Sequence, residues 1–247
     1  MKKIFSIFLC FVLIISLCSC SSSDHADIRS KGTLVVGVTE YVPMDYRDSD
    51  GNWIGFDAEL AKLTADKLGV DVEYKIINWD EKVEYLNQLK IDCIWNGYTV
   101  NEQDSVDFSA SYAKNSPVLV VRLDDADKIS DVESLKNLSV AFEKGSSAER
   151  IIKDINASIK GISCDLQKEA LEVVESGDAD ACVVDKTIFD SLVHSDLVAV
   201  HTFESDEFAV GFRKGSDLVE KINTILEDLK EDGTVEKLSK KYKVEIF

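Results

Sequence analysis

A short polar segment, Asn96-Gly97-Tyr98-Thr99, carries groups suited to holding a small charged ligand. It follows the apolar run 91–95. Gly97 lets a ligand approach backbone carbonyls closely, because glycine has no side chain in the way. Those carbonyls accept hydrogen bonds from an ammonium group, and the Thr99 hydroxyl can donate one to a carboxylate. An ordinary turn at the end of a strand is the alternative interpretation.

A second polar segment, Gly145-Ser146-Ser147, stands directly before a helical pattern. The first N–H groups of a helix have no partner inside it, and the helix dipole favours negative charge there. The segment therefore predicts an anion site. Ser146 or Ser147 can also cap the helix, and the two roles are compatible.

Two aromatic residues are placed where a ligand would sit. Tyr41 follows the first predicted strand, and Trp79 lies between a strand and a helix. Open α/β sheets bind ligands at this end of their strands. Aromatic faces favour apolar groups and cations. Packing in the core is the alternative, and for Trp79 considered alone it is the stronger one.

Nucleophilic catalysis and metal binding have no pattern in this sequence. The histidines, His25, His194 and His201, stand apart from one another, and no Ser-His-Asp arrangement is present. No cysteine or histidine spacing is typical of zinc. We therefore expect no catalytic residue, no metal and no cofactor.

Three cysteines, Cys93, Cys164 and Cys182, belong to the predicted folded part and cannot all pair. Buried free thiols are the expected state. A Cys164–Cys182 bridge requires that their two strands be neighbours.

The elements that must position these residues alternate between strand and helix along the chain. This order predicts an α/β fold with largely parallel sheet. The helix 58–68 has Asp57 as its expected cap, and another helix follows Asp80. The polar segment 123–131 is a candidate crossing into a second lobe, and the strand 208–212 is the candidate return. Further strands are predicted at 33–38, 70–77, 91–95, 118–121, 138–142, 161–165 and 181–185, and further helices at 148–155 and 168–175.

The N-terminus predicts export. Lys2 and Lys3 precede an apolar run over residues 4–17, which is typical of a secretory signal. The run is shorter than the roughly 20 residues that cross a bilayer. Leu17 and Ser19 before Cys20 resemble a bacterial lipoprotein cleavage site, which implies that Cys20 carries the lipid. An ordinary signal peptide with an incidental cysteine is the alternative.

The charge balance excludes polyanionic partners. The formal net charge is −18, and loss of Lys2 and Lys3 with the signal makes it −20. Such a surface repels nucleic acid and anionic lipid. We therefore expect no nucleic-acid partner and membrane contact through the lipid anchor only.

Several runs in the right order resemble one receptor family over nearly all of the mature chain. They are GFD at 55–57 with LA at 60–61, VDFS at 106–109 with Tyr112, KGS at 144–146, GDADA at 177–181 with Asp185, and DGT at 232–234. The chain is similar to the polar amino-acid receptors of ABC importers, solute-binding family 3. The resemblance implies a two-lobed, periplasmic-binding-protein-like fold of type II, with two hinge crossings and a ligand cleft between the lobes.

The resemblance also implies site residues. Tyr41 and Trp79 would flank the ligand side chain, and Asp185 would accept its α-ammonium group. An N-cap for the segment 186–193 is the alternative role of Asp185. The family usually has an arginine that grips the ligand carboxylate, and this chain has Asp104 at that position in a segment two residues shorter.

Asp104 leaves two ligand classes open. An amino acid can still be held by Thr99 and the Ser146 and Ser147 amides. A cationic amine without an α-carboxylate can instead face Asp185 and Asp104, with Glu40 or Asp45. A carboxylate does not replace a guanidinium grip. Arg47 is the one arginine considered as a weak substitute.

The sequence thus predicts a monomeric, extracytoplasmic lipoprotein that captures a small polar, amino-acid-like solute and docks on an ABC permease. We assign residues 1–19 to the signal, 20–30 to a tether, 31–116 and 209–247 to lobe 1, and 117–208 to lobe 2. A cyclohexadienyl dehydratase-like enzyme on the same fold is the alternative. It needs an acid–base pair in the cleft, and Asp104 counts against it because that family also uses the arginine.

Overall fold

A computed structural model describes residues 23–101, 103–155 and 158–247. Cys20 and the predicted signal lie outside the described residues. The strands are β1 (Thr33–Val38), β2 (Tyr46–Arg47), β3 (Trp53–Ile54), β4 (Asp71–Ile76), β5 (Cys93–Ile94), β6 (Val106–Phe108), β7 (Ala113–Asn115), β8 (Pro117–Arg122), β9 (Ser139–Glu143), β10 (Lys160–Cys164), β11 (Ala181–Asp185), β12 (Leu197–Thr202), β13 (Asp206–Phe208) and β14 (Gly211–Arg213). The α-helices are α1 (Asp24–Lys31), α2 (Phe56–Leu68), α3 (Lys82–Asn87), α4 (Ser147–Ile155), α5 (Gln167–Glu175), α6 (Lys186–Ser191), α7 (Leu218–Glu231) and α8 (Thr234–Tyr242).

Two five-stranded sheets form the centres of two lobes. The first has the order β4-β1-β5-β14-β6, and the second has the order β10-β9-β11-β8-β12. In the first sheet β1 runs parallel to β4 and β5, and β14 runs antiparallel to its neighbours. In the second sheet β9 runs parallel to β10 and β11, and β8 is antiparallel to β11. The predicted α/β fold is confirmed, and the predicted parallel pairing is found in β4-β1-β5 and β10-β9-β11, whereas the remaining pairs of both sheets are antiparallel.

The central strands of the second lobe show why their sequences are so apolar. All five residues of β11 are buried, as are the first five of β8. A strand covered on both faces has no polar side, so an unbroken apolar run replaces alternation. Such runs end where the strand reaches the sheet edge, and Asp185 is the residue at that point of β11.

The connection between the lobes is a two-stranded ribbon. β7 pairs antiparallel with β13, with Ala113 opposite Phe208 and Asn115 opposite Asp206. β8 follows β7 directly and already belongs to the second sheet, while β14 follows β13 and belongs to the first. The chain therefore changes lobe at this ribbon in both directions.

Three local predictions are corrected. The segment 123–131 is not a crossing, because the strands on both sides of it, β8 and β9, lie in the second sheet. The expected strand 208–212 is two strands, β13 and β14. Asp57 does not cap α2. It lies inside the first turn, where its carboxylate accepts hydrogen bonds from the Gly97 N–H at 2.6 Å and the Tyr112 hydroxyl at 2.8 Å.

The cysteines of the described residues are free and buried. Strand β9 lies between β10, which carries Cys164, and β11, which carries Cys182. The condition for a Cys164–Cys182 bridge is therefore not met. Among the described residues, we find no helix with the length and apolar character of a membrane span.

Candidate functional site

The candidate site is the cleft where the carboxyl ends of strands from both lobes meet. All eight leading sequence-predicted residues line it, and one of them is Asp185. The other seven are Tyr41, Trp79, Asn96, Gly97 and Thr99 from the first lobe and Ser146 and Ser147 from the second. The structure thus brings the two polar segments and the two aromatic residues into one place.

Asp185 is a buried carboxylate at this cleft, 6% exposed. It stands at the start of α6, but its side chain makes no capping hydrogen bond there. Instead it accepts hydrogen bonds from the Tyr41 hydroxyl at 2.9 Å, Asn115 Nδ2 at 2.6 Å and Gln167 Nε2 at 2.6 Å. Burial raises the pKa of Asp185, and these three neutral donors oppose that rise. A dry carboxylate held in this way is ready to receive a positive charge.

The second lobe contributes a serine loop between β9 and α4. The Ser146 hydroxyl donates to the Glu143 carbonyl at 2.7 Å and lies 3.4 Å from the Glu149 N–H as its acceptor. The Gly145 N–H donates to the Glu149 carboxylate at 2.8 Å. Ser146 therefore takes part in the cap, as predicted for one of its two roles. Both serines are buried and face the cleft, with Ser147 as the first residue of α4.

Glu143 is a second buried acid at the cleft. Burial and the neighbouring Asp185 charge together raise the pKa of its carboxyl to about 8, against the opposing charge of Lys82. The side chain is 5% exposed. At neutral pH this carboxyl is therefore mostly protonated, and it can donate a hydrogen bond as well as accept one.

The first lobe contributes a turn held in place from behind. The Thr39 N–H donates to the Asn96 side chain, and Asp57 holds the Gly97 N–H. Gly97 has a φ of 55°, and a Cβ atom there would lie 2.6 Å from the Tyr41 ring. Glycine is required because the conformation is left-handed and the tyrosine packs directly on the backbone.

The aromatic residues form one side of the cleft. Tyr41 is 4% exposed and Trp79 is 7% exposed. Trp79 packs edge-on against Tyr98 with ring centroids 5.4 Å apart. Trp79 thus belongs to the core and to the cleft wall, so the two interpretations of this residue hold together.

A buried lysine links the lobes beside this wall. Lys82 Nζ donates to the Gly145 carbonyl of the second lobe at 2.8 Å, and it lies 4.7 Å from the centre of the Trp79 ring. Burial lowers its pKa. Lys144 also reaches across the cleft, to Asp80 at 2.8 Å. These contacts belong to a closed arrangement of the lobes.

Asp104 lies apart from the cleft lining. It accepts hydrogen bonds from the Tyr98 hydroxyl at 2.6 Å and from Asn101 Nδ2 at 2.9 Å. Glu40 is an exposed residue that lines the rim. Arg47 donates to the Gly51 carbonyl at 2.8 Å and lies over the Trp53 ring, so it belongs to the β2–β3 hairpin and not to the cleft.

Sequence reasoning missed several cleft residues. Gln167 and Glu143 line it, and Asn115 supports Asp185 from the hinge ribbon. Arg150 also lines it, from the first turn of α4. A signal for Arg150 was present, because residues three apart on a helix share a face and Ser147 precedes it by three.

The closed cleft is small. About 20 Å³ is open to the centre of a water-sized sphere, roughly the room for one water molecule. A solute larger than water can therefore enter only when the lobes separate, as in hinge closure around a ligand. Within residues 23–101, 103–155 and 158–247 no group of His, Cys, Asp and Glu has the arrangement of a metal site.

Two α/β lobes joined by a ribbon, with a charged and aromatic cleft between them, define a solute-binding protein of the type II periplasmic-binding-protein class. The chain matches the bacterial extracellular solute-binding proteins, family 3, over residues 34–245, and it belongs to that family. It is 31% identical over 227 residues to the L-cystine-binding protein TcyA of Bacillus subtilis (strain 168), a match that covers 88% of this chain and 83% of the relative.

Solved structures agree with the fold. The amino acid ABC transporter substrate-binding protein AbpA of Streptococcus pneumoniae, bound to L-arginine, matches with a TM-score of 0.82 and 29% identity over 87% of this chain and 96% of that chain. The ancestral amino acid-binding protein AncCDT-1, a precursor of cyclohexadienyl dehydratase, matches with a TM-score of 0.83 and 32% identity over 90% of this chain and 99% of that chain. The predicted family and the two-lobed fold are confirmed.

Proposed function

We propose that this protein captures a small amino-acid-like solute by closure of its lobes and presents it to the permease of an ABC importer. The observation that carries the proposal is Asp185. A buried carboxylate with three neutral donors and no cationic partner among them is costly to keep dry unless a ligand supplies the cation. The α-ammonium group of an amino acid is such a cation.

The remaining contacts follow from the chemistry of the cleft. Thr99 and the serine loop would hold the ligand carboxylate, with Ser147 as the amide donor, because the Ser146 N–H already donates to the Glu143 carbonyl at 3.3 Å. Tyr41 and Trp79 flank the ligand side chain, and the Asn96 and Gly97 backbone accepts hydrogen bonds. Glu40 at the rim and Asp104 behind Tyr98 act through their charge.

Calorimetry and thermal shift against the amino acids, L-cystine, polyamines and small amines test the proposal. Ligands that bind the folded state stabilise it by mass action. We expect an amino acid carrying a free α-ammonium group to stabilise the protein. Stabilisation by anionic compounds alone would contradict the role of Asp185.

A second function deserves a direct test because of the likeness to AncCDT-1. Glu143, with a pKa near 8, has the burial expected of a general acid. We propose that the protein nevertheless performs no chemistry, since its named relatives are binding proteins. Incubation with prephenate and arogenate should give no product. Measurable turnover would overturn the receptor proposal in favour of the dehydratase alternative.

We further propose that the mature protein is a monomer attached to the outer face of the bacterial cell membrane through lipid on Cys20. Lobe 1 would comprise residues 31–116 and 209–247, and lobe 2 residues 117–208, with 20–30 as the tether. The substitution Cys20→Ala should move the protein from the membrane fraction to the soluble fraction. Retention in the membrane fraction would contradict the anchor, and light scattering after size exclusion checks the monomer.

A further inference from the structure

We infer that Arg150 holds the ligand carboxylate, so that the second lobe supplies the positive charge as well as the negative one. The inference rests on the proposed function and names the group that reads the carboxylate. Arg150 lies in the first turn of α4, next to the serine loop, and it lines the cleft together with Thr99, Ser147 and Asp185.

The guanidinium of Arg150 is available for a ligand. Within the part of the chain that the structure describes, no hydrogen bond or ion pair of this guanidinium is found. The other arginines are each bound to protein oxygens. Arg29 donates to the Leu68 carbonyl, Arg47 to the Gly51 carbonyl, Arg122 to the Val174 and Ala179 carbonyls, and Arg213 to the Ile91 carbonyl.

The positive charge of Arg150 acts on ionisable groups in and around the cleft. Burial raises the pKa of Asp185, of Asp206 in the hinge ribbon and of the Tyr98 hydroxyl across the cleft, and the Arg150 charge opposes each of these rises. The geometry agrees, because Arg150 lines the cleft beside Asp185 and opposite Tyr98. A ligand in the cleft therefore lies within its field.

The balance of charge in the cleft requires such a cation. Glu40 and Asp185 line it as carboxylates, and a ligand carboxylate brings a further negative charge. Among the described residues of the first lobe that line the cleft none is a cation, and the nearby Lys82 is engaged by the Gly145 carbonyl. A guanidinium binds a carboxylate through two parallel hydrogen bonds, which a single serine amide cannot reproduce.

A consequence is that both charged ends of the ligand bind the same lobe. Asp185 takes the ammonium group, and Arg150 with the serine loop takes the carboxylate. The first lobe then adds aromatic faces and backbone groups on closure. The ligand would dock on the second lobe first.

The test compares each amino acid with its decarboxylated amine. L-Arginine is paired with agmatine, and L-cystine with cystamine. In Arg150→Ala we expect affinity for the amino acids to fall about 10- to 100-fold, as for loss of a charge-assisted hydrogen-bonded pair. Affinity for the amines should change by less than about twofold, since they lack the carboxylate. Arg150→Lys should recover part of the loss, because it keeps the charge but not the paired geometry.

The matched control is Arg47→Ala, an arginine outside the cleft that should leave both ligand classes unchanged. An equal loss for amino acids and amines would overturn the inference and assign Arg150 to folding or to the ligand side chain. No loss for either, or a wild type that prefers the amines, would also overturn it. A wild type that binds no amino acid at all would overturn the proposed function first, and the inference with it. Circular dichroism of each variant separates loss of binding from loss of fold.

Discussion

The two walls of the cleft differ in what they offer a ligand. The first-lobe wall presents the rings of Tyr41 and Trp79 and the backbone of the Asn96–Thr99 turn. The second-lobe wall presents Glu143, Arg150 and Asp185, all charged or ionisable, with the serine loop. The first-lobe wall therefore offers mainly packing surface, and the second-lobe wall offers mainly ionisable groups.

The difference has a physical origin in the Asp104 segment. An arginine there would have placed a cation on the first lobe. With Asp104 bound to Tyr98 and Asn101, the first-lobe wall keeps its aromatic character. Recognition of charge is then concentrated on the second lobe, and changes of equal chemistry on the two walls should have unequal effects.

The largest effect is expected for Asp185→Asn. Removing a buried charge that pairs with a ligand ammonium should weaken binding about 30- to 5000-fold, from roughly 2–5 kcal/mol. Calorimetry measures the change, and Asp190→Asn on the exposed side of α6 is the control. Binding that persists unchanged would move the ammonium site off the second lobe and remove the contrast between the walls.

The second prediction concerns acid groups behind the first-lobe wall. Burial raises the pKa of Asp57 to about 7, against an ordinary 3.8. Burial and the Asp57 charge raise the pKa of Asp45, whose two carboxylate oxygens have no hydrogen-bond partner among the described residues. The folded state therefore holds a proton that the unfolded state releases. This stabilising contribution is complete below about pH 4 and is lost as the pH rises through about 7.

We expect the free energy of unfolding of the ligand-free protein to fall between pH 5 and pH 7.5, by about 1.4 kcal/mol per pH unit for each group concerned. The melting temperature should fall with it. Asp45→Asn should flatten the slope and raise stability at pH 7.5, and the exposed Asp50→Asn is the control. Ligand should leave the Asp45-dependent part unchanged, because that pair lies behind the wall. A slope that Asp45→Asn leaves intact would assign it to the second-lobe acids.

The third prediction concerns closure. Lys82→Met removes the hydrogen bond to the Gly145 carbonyl while keeping a chain of similar length against Trp79. A buried hydrogen bond from a charged donor is worth about 1.5–3 kcal/mol, so the ratio of closed to open protein should fall about tenfold or more. Small-angle scattering of the ligand-free protein should show a larger radius of gyration, with a matching loss of apparent affinity.

Lys62→Met, an exposed lysine of α2, controls for loss of charge alone. An unchanged radius and affinity would show that the Gly145 contact does not set the lobe equilibrium.

The smallest effect is expected for Tyr41→Phe. It removes one of three donors to Asp185 and leaves the ring in place, so binding should weaken about 3- to 10-fold. Titration calorimetry measures it, with Tyr46→Phe as the control. A loss as large as that of Asp185→Asn would show that the first-lobe wall also carries polar recognition.

Local patterns predicted the elements that are buried on both faces. The strand 181–185 has its predicted bounds, because an apolar run that ends in aspartate leaves little choice of length. The lobe crossing at 123–131 was wrong because polarity marks an exposed loop and does not report which sheet follows. The ribbon strand β7, Ala-Lys-Asn, is too short and too polar to be recognised from its own residues.

The cleft residues also divide into those that the sequence predicted and those that it did not. Tyr41 and Gly97 were predicted as cleft residues because each follows a strand, where sheets present their ligand edge. Asp185 was predicted from the family resemblance. Arg150, Glu143 and Lys82 were not, since their roles depend on which side chains meet when two lobes close. That meeting is a long-range property, with Lys82 and Gly145 sixty-three residues apart.

The hydrogen bond from Asn115 to Asp185 joins the hinge ribbon to the ammonium site. Asn115 Oδ1 in turn accepts from the hydroxyl of Thr187, the second residue of α6. Under the proposed function, the residue that binds the ligand ammonium is thus hydrogen-bonded to the ribbon that connects the lobes. A substitution at Asp185 that changes ligand preference would therefore also change the rate of lobe opening. Under the proposed function, selectivity and the rate of delivery to the permease cannot change independently at this residue.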